Sequence, residues 1–243
     1  MISPNNLANF LDQYLNTAIY PDEPPIVHSQ FGRSVSRLGL ALDPWPGLVE
    51  WVKEARIDAL FLHHSNKLEG ITLPDDVGLL ASHLPFDERL ALGFNLRLAD
   101  ALGMASLQPL GYRKERSLGM IGDVPPQTVS AFYKSVTETF GGREEARTCE
   151  RDEVTRVAVV AAMTGDLMRE ASQRGAQVYI TGQMRQPARE AMLDTGLGVI
   201  IVGHRRSEEW ALRALAHILR ERFAPLTVVL PPRRAAAETS VTP

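Results

Sequence analysis

The 243-residue sequence has a single cysteine, Cys149, so it cannot form an internal disulfide and does not fit a disulfide-stapled secreted scaffold. It has little lysine, 4 residues against 22 arginines, a bias that reads as genome composition rather than as a binding mode. No charge of one sign dominates: 26 Lys plus Arg face 29 Asp plus Glu, for a net charge of -3. That surface is not built to hold nucleic acid or an anionic membrane non-specifically. Long hydrophobic runs are missing too. The longest, Val157 to Met163, is seven residues, whereas a membrane helix needs about 20. The opening MISPNNLANF lacks the basic stretch and apolar core of a signal peptide, so a cytoplasmic protein is expected. Neither a solenoid repeat nor a glycine-rich phosphate loop of the GxxxxGKS type is present. What remains is an ordinary globular composition, 44% hydrophobic, at a length that suits one large domain or two small interlinked ones.

Short apolar runs alternate with amphipathic segments, the rhythm of an α/β protein. The strand candidates are Ser36 to Leu42, Asp58 to Leu62, Arg156 to Ala161, Gln177 to Thr181, Gly198 to Val202 and Leu226 to Leu230. From Ser207 to Phe223, Leu212, Leu215, Leu219 and Phe223 recur at helical spacing, with Ser207 as the expected N-cap and Glu208 and Glu209 in the first turn. Val129, Phe132, Tyr133, Val136 and Phe140 form a second stripe that Gly141 and Gly142 would end. Pro21 to Gly32 reads as a loop. The charged, glycine-containing stretches Arg113 to Pro126 and Arg143 to Glu153 read as surface connections around a second unit. A boundary is expected near residue 108, giving a first lobe over 1–108 and a second over 109–230, with the last helix able to pack back on the first. The tail 231–243 has no apolar pattern and is expected to be disordered.

Four of the six histidines stand at strand ends or in turns, close to carboxylates. His63 and His64 directly follow a strand candidate in LFLHHSN. His83 and Asp87 lie four apart in HLPFD, a proline-containing turn. His204 follows the strand GVIIVG, and Glu208 lies four residues on. Adjacent strand residues point to opposite faces, so His63 and His64 can approach one point only where the strand ends and the backbone turns. Side chains at the carboxyl ends of strands in an open α/β sheet converge on a crevice where ligands bind. Imidazole and carboxylate are ligands for Zn, Fe, Mn or Ni, and this set exceeds what one tetrahedral zinc requires. By spacing alone, the same clusters are equally ordinary polar loops.

At these residues the sequence resembles the family of Ngg-one-interacting factor three, the Nif-three-like family, also called the GTP cyclohydrolase 1 type 2 family. The family's HHP motif appears as His63, His64, Ser65, and its HTNLD motif as His83 to Asp87. The pattern continues in Gly93, Asn95, Leu98, Ala99, Leu102 and Gly103, in Gly119 to Gly122, in Thr181, Gly182, Gln183, and in a closing GHYATE-like element, Gly203 to Glu208. The resemblance spans most of the chain. It implies two interlinked α/β lobes with a dinuclear metal site in the cleft between them, and a homohexameric ring. By matched position it implies His63, His64, Asp87, His204 and Glu208 as ligands of two divalent ions (Zn, Fe, Mn or Ni). His83 and Asp43 resemble positions beside the metals. Ser65, Gln183, Arg205 and Arg206 depart from the pattern, the N-terminal WDNVGL element has no counterpart, and AAMTGD replaces a glycine-rich turn. No ligand position is lost.

Two metal ions a few ångströms apart can bridge a water, lower its pKa and clamp attacking and leaving oxygens. The first expectation is therefore a metal-dependent hydrolase in which a bridging hydroxide attacks a small substrate, with nucleotides and other phosphorylated molecules among the candidates. In it His83 is the candidate catalytic acid or base. Arg205 or Arg206 would hold an anionic group, or else form an ordinary solvated pair. The alternative is a metal-binding regulator or scaffold without turnover. His28 and His217 are expected to be bystanders, Trp51 and Trp210 to fill core or subunit contacts, and Cys149 to have no catalytic part.

Overall fold

In a computed structural model, the structure describes residues 1–29, 33–149, 151–161, 164–183, 185–186 and 188–232, without the side chains of residues 28 and 29. Within them the chain is a mixed α/β fold with two sheets and eight α-helices. It divides into two compact units, Met1–Phe86 with Leu212–Pro243, and Asp87–Ala211. Among the described residues, no helix is long and apolar enough to cross a membrane. The expected disordered tail lies, apart from Pro231 and Pro232, outside the described residues.

The first unit contains α1 (Pro4–Leu15), β1 (Val27–Ser29), β2 (Arg37–Ala41), α2 (Leu48–Glu54), β3 (Ala59–Leu62) and β4 (Gly78–Ala81). Helix α3 (Leu84–Leu90) crosses out of it. The later part of α8 (His204–Arg222) and β11 (Thr227–Val229) return to it. Its sheet runs β1-β4-β3-β2-β11, parallel except for β1, a short edge strand inside the segment expected to be all loop. The runs RLGLA and ALFL are almost wholly buried, as strands covered on both faces must be. One face packs Leu60, Leu62, Leu48, Val52 and Ile57 with Trp45. Trp51 packs there as well, so a Cβ at Gly39 would come within 2.9 Å of its ring.

The second unit holds α4 (Leu96–Ala101), β5 (Ala105–Arg113), β6 (Arg116–Thr128), α5 (Val129–Phe140), β7 (Glu145–Arg147), β8 (Glu153–Val160), α6 (Gly165–Gln173), β9 (Val178–Thr181), α7 (Ala188–Thr195) and β10 (Gly198–Ile201). The sheet order is β5-β6-β8-β9-β10-β7, with β8, β9 and β10 parallel. Alternation along β9 sends Val178 and Ile180 to a core with the α5 stripe, and Tyr179 to a core with Leu167, Met168, Ala188 and Ala191. Trp210 packs against the α5 side.

Three local expectations are corrected. Arg113 to Pro126 is no surface connection but most of a long hairpin, β5 with β6, and β7 falls inside the other charged stretch. The charge of Arg113 to Arg116 is confined to the hairpin end. Gly119 and Gly122 are glycines because a Cβ at either would collide with a backbone carbonyl, of Val159 and of Ala105 respectively. Their signal is close approach within a sheet rather than a turn. Second, HLPFD is not a turn throughout: α3 begins at Leu84, with Pro85 in its first turn, where proline is tolerated. Third, Ser207 is not an N-cap. Helix α8 starts at His204, and the Ser207 hydroxyl donates to the His204 carbonyl from within the first turn.

Candidate metal centre

In the first unit, three neighbouring parallel strands end side by side in the order β4-β3-β2. Their carboxyl ends deliver His83, two residues beyond β4, His63 and His64, directly after β3, and Asp43, two residues beyond β2. Backbone bonds from His63 N to Ala41 O (3.1 Å) and from His64 N to Leu42 O (2.8 Å) continue the β3–β2 register past the formal strand. The chain then turns into a short 3-10 segment from Ser65. The three imidazoles converge: ring centroids are 4.1 Å apart for His63 and His64, 5.0 Å for His63 and His83, and 5.2 Å for His64 and His83. Each offers a ring nitrogen within 4.8 Å of the others, close enough to hold a metal ion. Phe86 packs on the buried His63 ring at 4.5 Å, whereas His83 is exposed.

Proton positions on two of these rings follow from their partners. His63 Nδ1 lies 3.0 Å from the carbonyl oxygen of Ser82, a group that can only accept, so Nδ1 carries the proton and Nε2 the lone pair. His64 Nδ1 is 2.9 Å from Asp43 Oδ1, and Lys67 Nζ donates to the same oxygen at 2.6 Å. A carboxylate or carbonyl on one ring nitrogen is the support that metal-binding histidines use to fix tautomer and ring direction. The donor set therefore fits a divalent metal ion.

In the second unit, Gly203, at φ +97°, turns the chain from β10 into α8. His204 opens that helix and Glu208 follows one turn later, where i and i+4 side chains meet. His204 Nε2 lies 2.9 Å from Glu208 Oε1, and Glu208 is 2% exposed. That hydrogen bond raises the His204 imidazole above its ordinary pKa. The charges of Glu208 and Asp87 add to the rise, while burial and Arg185 oppose it. Asp87 stands in the first turn of α3. Asp87 and Glu208 also belong among the side chains grouped closely enough to hold a metal ion, whereas His204 falls outside those groups, its Nε2 lying against Glu208.

The remaining expectations divide. Arg205 Nε lies 3.2 Å from Glu209 and Arg206 Nη1 3.7 Å from Glu144. Gln183 is exposed beyond β9, and His217 is exposed on α8. The side chain of His28 lies outside the described residues. Cys149 is half-buried, its thiol directed at the Arg151 carbonyl. Two supports have no signal in the sequence, the Ser82 carbonyl and Lys67. A backbone carbonyl leaves no trace in residue identity, and Lys67 becomes meaningful only once the chain after β3 turns back on Asp43.

A model of the family described as Duf34/NIF3 (NGG1p interacting factor 3) matches residues 5–231. A protein of Pyrococcus abyssi is 27% identical over 241 residues, covering 92% of this chain and 96% of that protein. One from Pseudomonas aeruginosa is 26% identical over 239 residues, covering 92% and 94%. Each is called a GTP cyclohydrolase 1 type 2 homolog. Among solved structures, TTHA1606 from Thermus thermophilus superimposes with a TM-score of 0.72 at 23% identity, covering 94% of this chain and 97% of that one.

Proposed function

The chain belongs to the Duf34/NIF3 family, and from that premise we propose that its two ligand clusters serve one dinuclear metal site of a metal-dependent hydrolase acting on a small substrate. The observation that carries this reading is the pair of histidines whose Nδ1 atoms rest on oxygen acceptors. With Nδ1 of His63 and His64 held by Ser82 and Asp43, the lone pair of each ring is at Nε2, and His83 stands beside both rings. The second cluster would add two more carboxylates, Asp87 and Glu208, to balance divalent cations. His63, His64, Asp87, His204 and Glu208 would hold the ions. Bound there, two divalent ions would supply Lewis acidity and lower the pKa of a water molecule.

The chain's own residues supply the rest. Asp43 and the Ser82 carbonyl orient the imidazoles. His83, exposed next to the buried His63, would give or take a proton at a substrate oxygen or nitrogen. Glu208 Oε1, 2.9 Å from His204 Nε2, fixes the direction of that ring. A cytoplasmic homohexamer is part of the same proposal, resting on family resemblance. To test the reading, protein loaded with Mn, Zn or Fe is assayed against phosphoesters, nucleotides and cyclic amides. Hydrolysis that falls about 100-fold or more in His83→Ala, within the usual worth of an acid or base, supports it. Metal uptake with no hydrolysis of any of them would leave a metal-binding scaffold as the better account.

A further inference from the structure

Next to Asp87 in α3 stands Glu88, a carboxylate only 5% exposed. Its Oε2 lies 3.4 Å from Nη1 of Arg116, the first residue of β6, and the two side chains are 6% and 11% exposed. A buried ion pair is a poor source of stability, because desolvating two charges offsets most of their attraction. What such a pair can contribute is geometry, since an ion pair at 3.4 Å favours the arrangement that brings the guanidinium and carboxylate together. Successive helix residues are about 100° apart around the axis, so fixing the direction of Glu88 fixes the rotation of α3 and with it the direction of Asp87.

The rest of the helix is tied down to match. Asn95 donates to the carbonyls of Leu90 and Ala91, while its own Oδ1 accepts from Arg97 N and Leu98 N at the start of α4. The chain after α3 packs so closely on the Glu88 carbonyl that a Cβ at Gly93 would overlap it. The Gly93 and Asn95 contacts hold the end of α3, and the Glu88–Arg116 pair sets its rotation near the start.

We propose that Glu88 and Arg116 are positioning residues that aim the Asp87 carboxylate, and that their buried pair sets metal affinity rather than stability. The proposal rests on the metal reading above. Its test uses Co2+ as the probe, with affinity and the visible absorption of the bound ion as readouts, in wild type and in the double variant Glu88→Leu/Arg116→Met. Replacing both charges by apolar groups of similar size is often neutral for folding. The double variant should therefore keep its circular dichroism while Co2+ binds about tenfold more weakly, as for other residues that support a ligand, and the absorption changes shape. If the double variant does not fold, Glu88→Asp and Arg116→Lys singly carry the same readout, because each keeps the charge and shifts the geometry. A folded variant within about twofold of wild type in affinity, with an unchanged spectrum, overturns the positioning role alone. A wild-type protein that takes up no Co2+ overturns the metal reading together with it.

Discussion

The two ligand clusters are supported in opposite ways. In the first unit, His63 and His64 rest Nδ1 on Ser82 and Asp43, acceptors that hold the rings without using Nε2. In the second unit, His204 has Nε2 against Glu208, itself a proposed ligand, and its pKa is raised by that contact. In the first cluster the supporting contacts use Nδ1, whereas in the second the contact is made by Nε2 itself. This contrast teaches that a histidine's identity says little about readiness to bind metal, and that what occupies its other ring nitrogen says more.

The strongest way to break the comparison is to remove one ligand from each side. We expect His64→Ala and Glu208→Ala each to lower bound metal well below wild type, by more than the roughly 10- to 100-fold typical of a supporting residue, with circular dichroism retained. Plasma mass spectrometry on desalted protein measures it, and unchanged metal in both variants would remove the ligand assignment. Next in size is Asp43→Ala, which leaves every ligand in place but releases His64 Nδ1. A roughly 10- to 100-fold loss in Mn2+ affinity is expected from titration. An equal loss from releasing His204 through Glu208 cannot be separated from loss of a ligand, so Asp43 is the cleaner probe.

How far the sequence reveals this arrangement varies with the kind of residue. His63, His64 and His204 are legible because each follows an aliphatic run short enough to be a buried strand, and strand ends gather ligands. His83 is harder to place, since GLLA is too short to stand out as a strand and Pro85 suggests a turn, though proline is acceptable in the first turn of α3. The β5–β6 hairpin is hidden by glycines that serve close packing and by the charged run Arg113 to Arg116 at its end. Pairings set by tertiary approach, such as Glu88 with Arg116, have no local signal at all.

A third prediction concerns the second unit's frame. Gly119→Ala would push a methyl into the Val159 carbonyl across β6 and β8, and should lower stability by about 2 kcal/mol in denaturant titration, as overpacking of a close site does. The first unit's sheet contains neither residue, so Gly119→Ala separates the two frames.

The smallest expected effect is on pH. Because the folded pKa of His204 is raised, the His204–Glu208 pair stabilises the metal-free protein fully below the ordinary imidazole value of about 6.5, and this contribution fades as pH rises through the raised folded value. Glu208→Gln should flatten that part of the stability profile. Metal uptake should correspondingly strengthen with rising pH and release protons, which is measured by titrating Mn2+ into weakly buffered protein with a pH indicator.

The most direct test of the central claim is the number and place of bound ions, by anomalous scattering from crystals of protein reconstituted with Zn2+ or Mn2+. The account predicts two ions per chain, with His63, His64, Asp87, His204 and Glu208 as their protein ligands. Crystals with no ion at these residues, or with ions held by other side chains, would contradict it.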